Sequence, residues 1–232
     1  MDRRSTLVAG ATGGLGSAIA TLLGERGDRL TLVGRDEAKL AALATLGRTV
    51  RLDLRNPDAV AAAVASAVEH GGGLDVVVNA VGVVAFGPLE QLDVDTMEEL
   101  FLTNTFVPIM LTRAALATLR PGGVIVNISG VIAERNLPGM AAYGASKAAV
   151  HALDEAVARE ARRKGIRVID ARPPHTDTGL AGRPIAGVAP AMGTGLDPMS
   201  VARIIVRAVD GATDGASNGA VTDLPSSAFS TV

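Results

Sequence analysis

Six short apolar runs alternate with longer helical patterns, and this alternation constrains the chain more than any other feature. STLVAG (5–10), RLTLVG (29–34), TVRLDL (49–54), LDVVVNA (74–80), GVIVNIS (123–129) and IRVIDA (166–171) are rich in β-branched residues and bounded by turn signals. Near-continuous apolar strands are buried on both faces, as in a parallel sheet covered by helices. The stretches between them, 14–26, 36–46, 57–70, roughly 94–119 and 142–164, read as helices. This order predicts an α/β fold: a doubly wound parallel sheet with helices on both faces. No repeat or linker divides the 232 residues, so a single domain spans 1–232. A last helix is expected near 199–210, and GAVTDL (219–224) as a final edge strand.

Composition removes several function classes. Hydrophobic residues make up 48% and aromatics only 2%, so Ala, Val, Leu and Ile must build the core. The formal net charge is −2 with no long basic run, so nothing suggests a nucleic-acid footprint. The locally basic REARRKGIR (159–167) ends an expected helix, where cations complement the helix dipole. With no cysteine there is no disulfide framework, thiolate metal site or cysteine nucleophile. Histidines 70, 151 and 175 have no ligand spacing, so no metal is expected. The apolar run in MDRRSTLVAG is too short for a signal peptide or a membrane span. Cytoplasmic residence without a membrane partner is the default expectation.

GATGGLG (10–16) joins the first strand to the first helix. Glycines there let the backbone turn sharply and approach a pyrophosphate, while the helix N-terminus offers amide donors. The spacing can be parsed as G10-x3-G14-x-G16 or as G10-x2-G13-x2-G16. Either suits nucleotide binding, and neither separates an enzyme from a dinucleotide sensor. A phosphate-loop kinase would need G-K-[ST] after the glycines, and a serine hydrolase a G-x-S-x-G elbow. The chain has neither.

That turn, N-A-V-G (79–82), Asn104 and Y-G-A-S-K (143–147) occur in order at separations that resemble the short-chain dehydrogenase/reductase family, over about residues 5–180. The resemblance implies a Rossmann-type fold and hydride transfer between a nicotinamide cofactor and a carbonyl/alcohol pair. It implies cofactor contacts from Gly10, Thr12, Gly14, Leu15 and Gly16 in the turn. Asp53 and Leu54 follow the third strand, where Asp53 is either an adenine contact or a turn cap. Asn79, Ala80 and Gly82 stand where the family has N-N-A-G, with the second Asn missing here. Pro173, Thr176 and Thr178 in PPHTDT (173–178) resemble the family's P-G-x-V-x-T segment, and the two threonines would face the nicotinamide carboxamide.

The end of the second strand bears on cofactor choice. An acid there holds a ribose 2′-hydroxyl, whereas an arginine accommodates a 2′-phosphate. Gly34 stands where the acid would be and Arg35 follows, which favours NADP(H) over NAD(H). Asp36 has a structural role available as a helix N-cap.

Tyr143 is the only tyrosine, and Lys147 lies at i+4 on the same helix face. The resemblance makes Tyr143 the general acid/base and gives Lys147 and Asn104 places in a proton relay. An ammonium near the phenol lowers its pKa from about 10. The family's serine is displaced: the position 13 residues before Tyr143 is Gly130, and Ser129 precedes it. Three readings stay open. A bulge at Gly130 turns Ser129 inward, or another backbone, lid or substrate group replaces it, or turnover is severely reduced. In the last case the protein is a dinucleotide-binding sensor or partner protein. The segment 173–198, rich in Gly, Pro and Ala, is expected as a substrate lid for an apolar carbonyl or alcohol, with His175 either in the pocket or on the surface. The family also assembles through helices corresponding to about 96–119 and 142–164, which implies a homodimer or homotetramer.

Overall fold

The computed structural model describes residues 3–211 and 222–230. Seven parallel strands form one sheet: β1 (Ser5–Ala9), β2 (Arg29–Gly34), β3 (Gly47–Arg51), β4 (Val76–Asn79), β5 (Val124–Ile128), β6 (Arg167–Ala171) and β7 (Thr222–Leu224). They lie in the order β3-β2-β1-β4-β5-β6-β7. The helices are α1 (Gly14–Glu25), α2 (Glu37–Ala42), α3 (Pro57–Gly71), α4 (Val94–Phe101), α5 (Val107–Thr118), α6 (Ala141–Arg162) and α7 (Pro198–Val209).

Side-chain alternation along the strands builds two core layers. Val8, Val78 and Val126 face Ile19 and Leu23 of α1 and Val201 and Ile205 of α7. Leu7, Val77 and Ile125 face the other way, onto Val60, Leu111 and Val157 of α3, α5 and α6. The chain runs outward from β1 through β2 to β3, then returns to set β4 on the other side of β1. This reversal opens a crevice at the C-terminal ends of β1 and β4, where open α/β sheets bind ligands. Several helix starts are fixed locally. Asn56, Asp93 and Asp197 accept from the backbone N–H of Asp58, Thr96 and Ser200, and Pro57 and Pro198 open α3 and α7.

Three boundaries differ from the sequence expectation. Strand β3 ends at Arg51, opposite Gly34, so Asp53 and Leu54 lie beyond the strand and not in it. Helix α2 stops at Ala42, and tight turns carry the chain through Leu46. The expected helix 94–119 is interrupted by a π-helical turn, Leu102–Phe106. Of GAVTDL, Thr222–Leu224 is strand, while 219–221 lies outside the described residues. The stretch Val94–Thr118 is long and apolar enough to cross a membrane by length and composition alone. In the fold, its Leu100, Leu111 and Ala115 are buried.

Candidate active site

The glycine turn is built by close backbone approach. Gly10 has φ +78°, and a Cβ there would lie 2.7 Å from the carbonyl of Ala80 at the end of β4. A Cβ on Gly14 would lie 2.7 Å from the Thr178 backbone, so the segment after β6 rests directly on the turn. Gly13 precedes α1 without a side-chain cap, leaving the first-turn amides to a ligand. These are the bare backbone and unclaimed donors that a dinucleotide diphosphate requires.

At the end of β2, Gly34 packs on Thr12, and a Cβ on Gly34 would sit 2.6 Å from Thr12 Cγ2. Asp36 caps α2 by accepting from Lys39 N–H at 3.0 Å, a bond that also holds its pKa below the usual carboxylate range. Arg35 and Lys39 both line the crevice. The carboxylate of Asp53 is held by the Arg55 guanidinium, with Nε at 3.0 Å from each oxygen, and this hydrogen bond lowers its pKa. Arg55 also reaches Glu99 of α4 at 2.7 Å.

Tyr143 and Lys147 project from the first turns of α6 into the same crevice, a cavity of about 830 Å³ that continues to the glycine turn. Lys147 is buried and its Nζ donates to the Ile128 carbonyl at 2.8 Å. Burial lowers its pKa to about 8, opposed by the charge of Asp170. Burial also pushes the Tyr143 phenol up to about 12. The expected lowering of the tyrosine by Lys147 is therefore not what this geometry gives. The ammonium is bound to a main-chain carbonyl, and desolvation of the phenol dominates.

Asn104 sits in the π-helical turn, fully buried, and its side chain is fully committed. Its Oδ1 accepts from Val83 N–H at 2.9 Å, and its Nδ2 donates to the Val83 carbonyl at 2.9 Å and to Ser146 Oγ at 3.0 Å. Asn104 thus does not line the cavity; it pins Val83 beside Gly82 and α6 beside Lys147. Asn79 is likewise absent from the wall, because its amide bonds Asn127 at 3.1 Å and the Val81 N–H at 3.2 Å. Every other expected cofactor residue lines the cavity, including Leu15, Leu54, Ala80 and Pro173. The hydroxyls of Thr176 and Thr178 engage neighbouring backbone, at Pro174 O and Leu180 N–H.

The displaced serine has a definite position. The N–H groups of Ser129 and Gly130 both donate to Ala171 O at 3.1 Å, a two-against-one arrangement like that of a β-bulge. Gly130 takes φ +81° and ψ 161°, a conformation reserved for glycine. The Ser129 hydroxyl donates to the buried carboxylate of Asp170 on β6. The bulge is present and Ser129 lines the cavity with Tyr143, but its hydroxyl proton is given to Asp170.

The segment 173–197 covers the crevice. Its ends pair through Thr176 and Leu196, and its middle pairs with the loop after β4, where Phe86 N–H donates to Ala186 O at 2.9 Å. His175 lines the cavity, 3.4 Å from Asp177. Phe86, Leu137, Met140, Ile185 and Met192 make the outer wall apolar.

Lys39, Arg55 and the part of the apolar wall outside the lid, Phe86, Leu137 and Met140, were not foreseen from sequence, whereas Ile185 and Met192 belong to the lid expected to be apolar. Lys39 was within reach of the sequence, standing four residues after Arg35 in the first turn of the expected helix. Three-dimensional packing also brings His151, Asp170 and Asp223 within 4.8 Å of one another, a grouping invisible in linear spacing. The Arg172 guanidinium already bonds Asp170 and reaches Asp223 at 2.7 Å, so this is an ion-pair cluster around a cation the chain itself supplies.

A family model described as short chain dehydrogenase matches residues 4–186. A 3beta-hydroxysteroid dehydrogenase from Mediterraneibacter gnavus is 36% identical over 211 residues, covering 85% of this chain and 76% of that protein. A short-chain dehydrogenase structure from Streptomyces avermitilis superposes with a TM-score of 0.84 at 28% identity, covering 100% of this chain and 92% of that one. A short chain dehydrogenase from Burkholderia cenocepacia, solved in complex with NADP, gives 0.81 at 28% identity over 96% of each chain.

Proposed function

The chain belongs to the short-chain dehydrogenase family, and from that membership we propose that it is an NADP(H)-dependent oxidoreductase interconverting an apolar carbonyl compound and its alcohol. The observation that carries this reading is that the glycine turn, Lys147 and Tyr143 share one cavity. When bound, the nicotinamide cofactor supplies or accepts the hydride. Gly10, Gly14, Gly16 and the first-turn amides of α1 hold its diphosphate. Arg35 and Lys39 take the 2′-phosphate, a role supported by the absence of room for an acidic side chain at Gly34. Lys147 holds the nicotinamide ribose and keeps a positive charge beside the phenol. Tyr143 donates its proton to the carbonyl oxygen in reduction and recovers it in oxidation.

Asn104 works through others, by fixing Val83 and Ser146. The segment 173–198 acts as the substrate lid, and its apolar wall selects an apolar carbonyl. The name of the Mediterraneibacter gnavus relative agrees with a bulky apolar alcohol. The exposed apolar residues Phe106 and Ile109 support a homo-oligomer built through α4–α5 and α6. Cytoplasmic residence accords with this chemistry.

A second reading, a dinucleotide-binding protein with little turnover, is favoured by one observation: the Ser129 hydroxyl is committed to Asp170. Loss of one oxyanion donor costs about 10²–10³ in turnover. Oxidation of NADPH and NADH over a panel of apolar ketones and aldehydes decides between the two. Turnover preferring NADPH supports the oxidoreductase; tight NADPH binding with no turnover across the panel supports the second reading.

A further inference from the structure

We propose that Asp170 is a positioning residue for Lys147: a buried counter-charge set behind the active site and itself fixed by Ser129, Arg172 and His151. Asp170 is fully buried on β6, opposite Asn127 in register, while Ile128 ends β5 and Ser129 follows it. The Ser129 hydroxyl donates to one carboxylate oxygen. Arg172 Nη1 donates to the other, and His151 Nδ1 lies 2.7 Å from it. Three partners around one buried carboxylate are the satisfaction such a group needs.

The same few residues hold the lysine. Lys147 Nζ donates to the carbonyl of Ile128, and the next residue, Ser129, donates to Asp170. A neutral carbonyl leaves the buried ammonium without a paired charge, and the carboxylate set between the two elements that hold it is Asp170, bound by Ser129 next to that carbonyl and by His151 one helical turn after Lys147. Arg172 does not cancel that anion, because it faces three carboxylates at once: Glu134, Asp170 and Asp223. The ionisable groups around Lys147 are Tyr143, His151, Asp154 and Glu155 on α6, Asp170 on β6, Arg172 just after it, Glu134 after β5, and Asp223 on β7. Burial, and after it the Asp170 charge, raises the Asp154 pKa well above the carboxylate range, which disfavours a second anion there. On this account the shift of the serine from 130 to 129 has a purpose: Ser129 serves the counter-charge of the lysine instead of the substrate.

The inference rests on the proposed function only for what the charged lysine is used for, and its test needs no substrate. The chain has three lysines, at 39, 147 and 164. Lysine labelled with ¹³C at Cε gives three NMR titrations, assigned with Lys39→Arg and Lys164→Arg. The Lys147 midpoint should lie near 8 in the parent, and in Asp170→Asn it should fall by about one pH unit or more. His151→Gln leaves the Asp170 charge in place and should leave the midpoint near the parent value. If Asp170→Asn does not fold, Asp170→Ser, a smaller neutral side chain that still donates and accepts hydrogen bonds, removes the same charge and should show the same fall. An unmoved Lys147 midpoint in either folded variant overturns the proposal. A chain without turnover would overturn the oxidoreductase reading yet leave this titration readable.

Discussion

Asp154 lies on α6 with no exposed surface, and its replacement by asparagine should make the protein more stable as pH rises. One carboxyl oxygen accepts from Asn127 Nδ2 at 2.6 Å, while the other has no partner among the described residues. Burial first, and the Asp170 charge second, raise its pKa well above the carboxylate range. The folded chain therefore holds this proton to higher pH than the unfolded chain, which releases it above about pH 4. A group of this sign removes stability as pH rises through that range, with a slope of about 1.4 kcal/mol per pH unit. Between pH 5 and 7 the loss is at most about 3 kcal/mol. Asp154→Asn keeps the acceptor for Asn127, does not titrate, and leaves an amide N–H unsatisfied at a cost of about 1 kcal/mol. The two proteins should be about equally stable at pH 5, with the variant ahead by up to about 10 °C in Tm at pH 7. Thermal unfolding followed by circular dichroism across pH 5–8 measures the difference directly, because other titrating groups cancel between the two proteins. A Tm difference that stays constant with pH would refute the raised pKa of the buried carboxyl.

Three further outcomes follow from the same site. Gly34→Asp introduces a Cβ 2.6 Å from Thr12 Cγ2, so alone it should weaken NADPH binding without creating NADH preference. Adding Thr12→Ala relieves the shorter contacts and should shift the ratio of NADH to NADPH affinity upward; fluorescence titration reads both. Arg35→Gln should weaken NADPH about 10–100-fold and leave NADH nearly unchanged, the expected loss of a charge-assisted contact to one phosphate. Gly130→Ser places the family's hydroxyl at the expected position but forces a side chain onto φ +81°. It should cost about 1–3 kcal/mol of stability and bring no gain in turnover, measured by unfolding and by NADPH oxidation.

The strands were legible because burial on both faces writes an uninterrupted apolar run, and six such runs fall within a few residues of β1–β6. The glycine turn was legible for a local reason: each close approach there demands a missing Cβ. Long-range partners were not. Ser129 gave no sign that its hydroxyl is taken, since Asp170 lies 41 residues away. The π-helical turn around Asn104 keeps the apolar texture of a continuous helix, so periodicity passes over it. The phenol pKa depends on how deeply α6 sinks into the fold, which i+4 spacing does not encode.

The central claim is that Tyr143 exchanges the proton while the rest of the cavity binds the cofactor. The most direct test is Tyr143→Phe, compared with the parent in NADPH affinity and in NADPH oxidation with the best ketone of the panel. The account predicts near-parental affinity, because the phenol is not among the groups that hold the diphosphate or the 2′-phosphate. It also predicts a loss of turnover of about 10²-fold or more, the scale of a general acid. Undiminished turnover in Tyr143→Phe would contradict it.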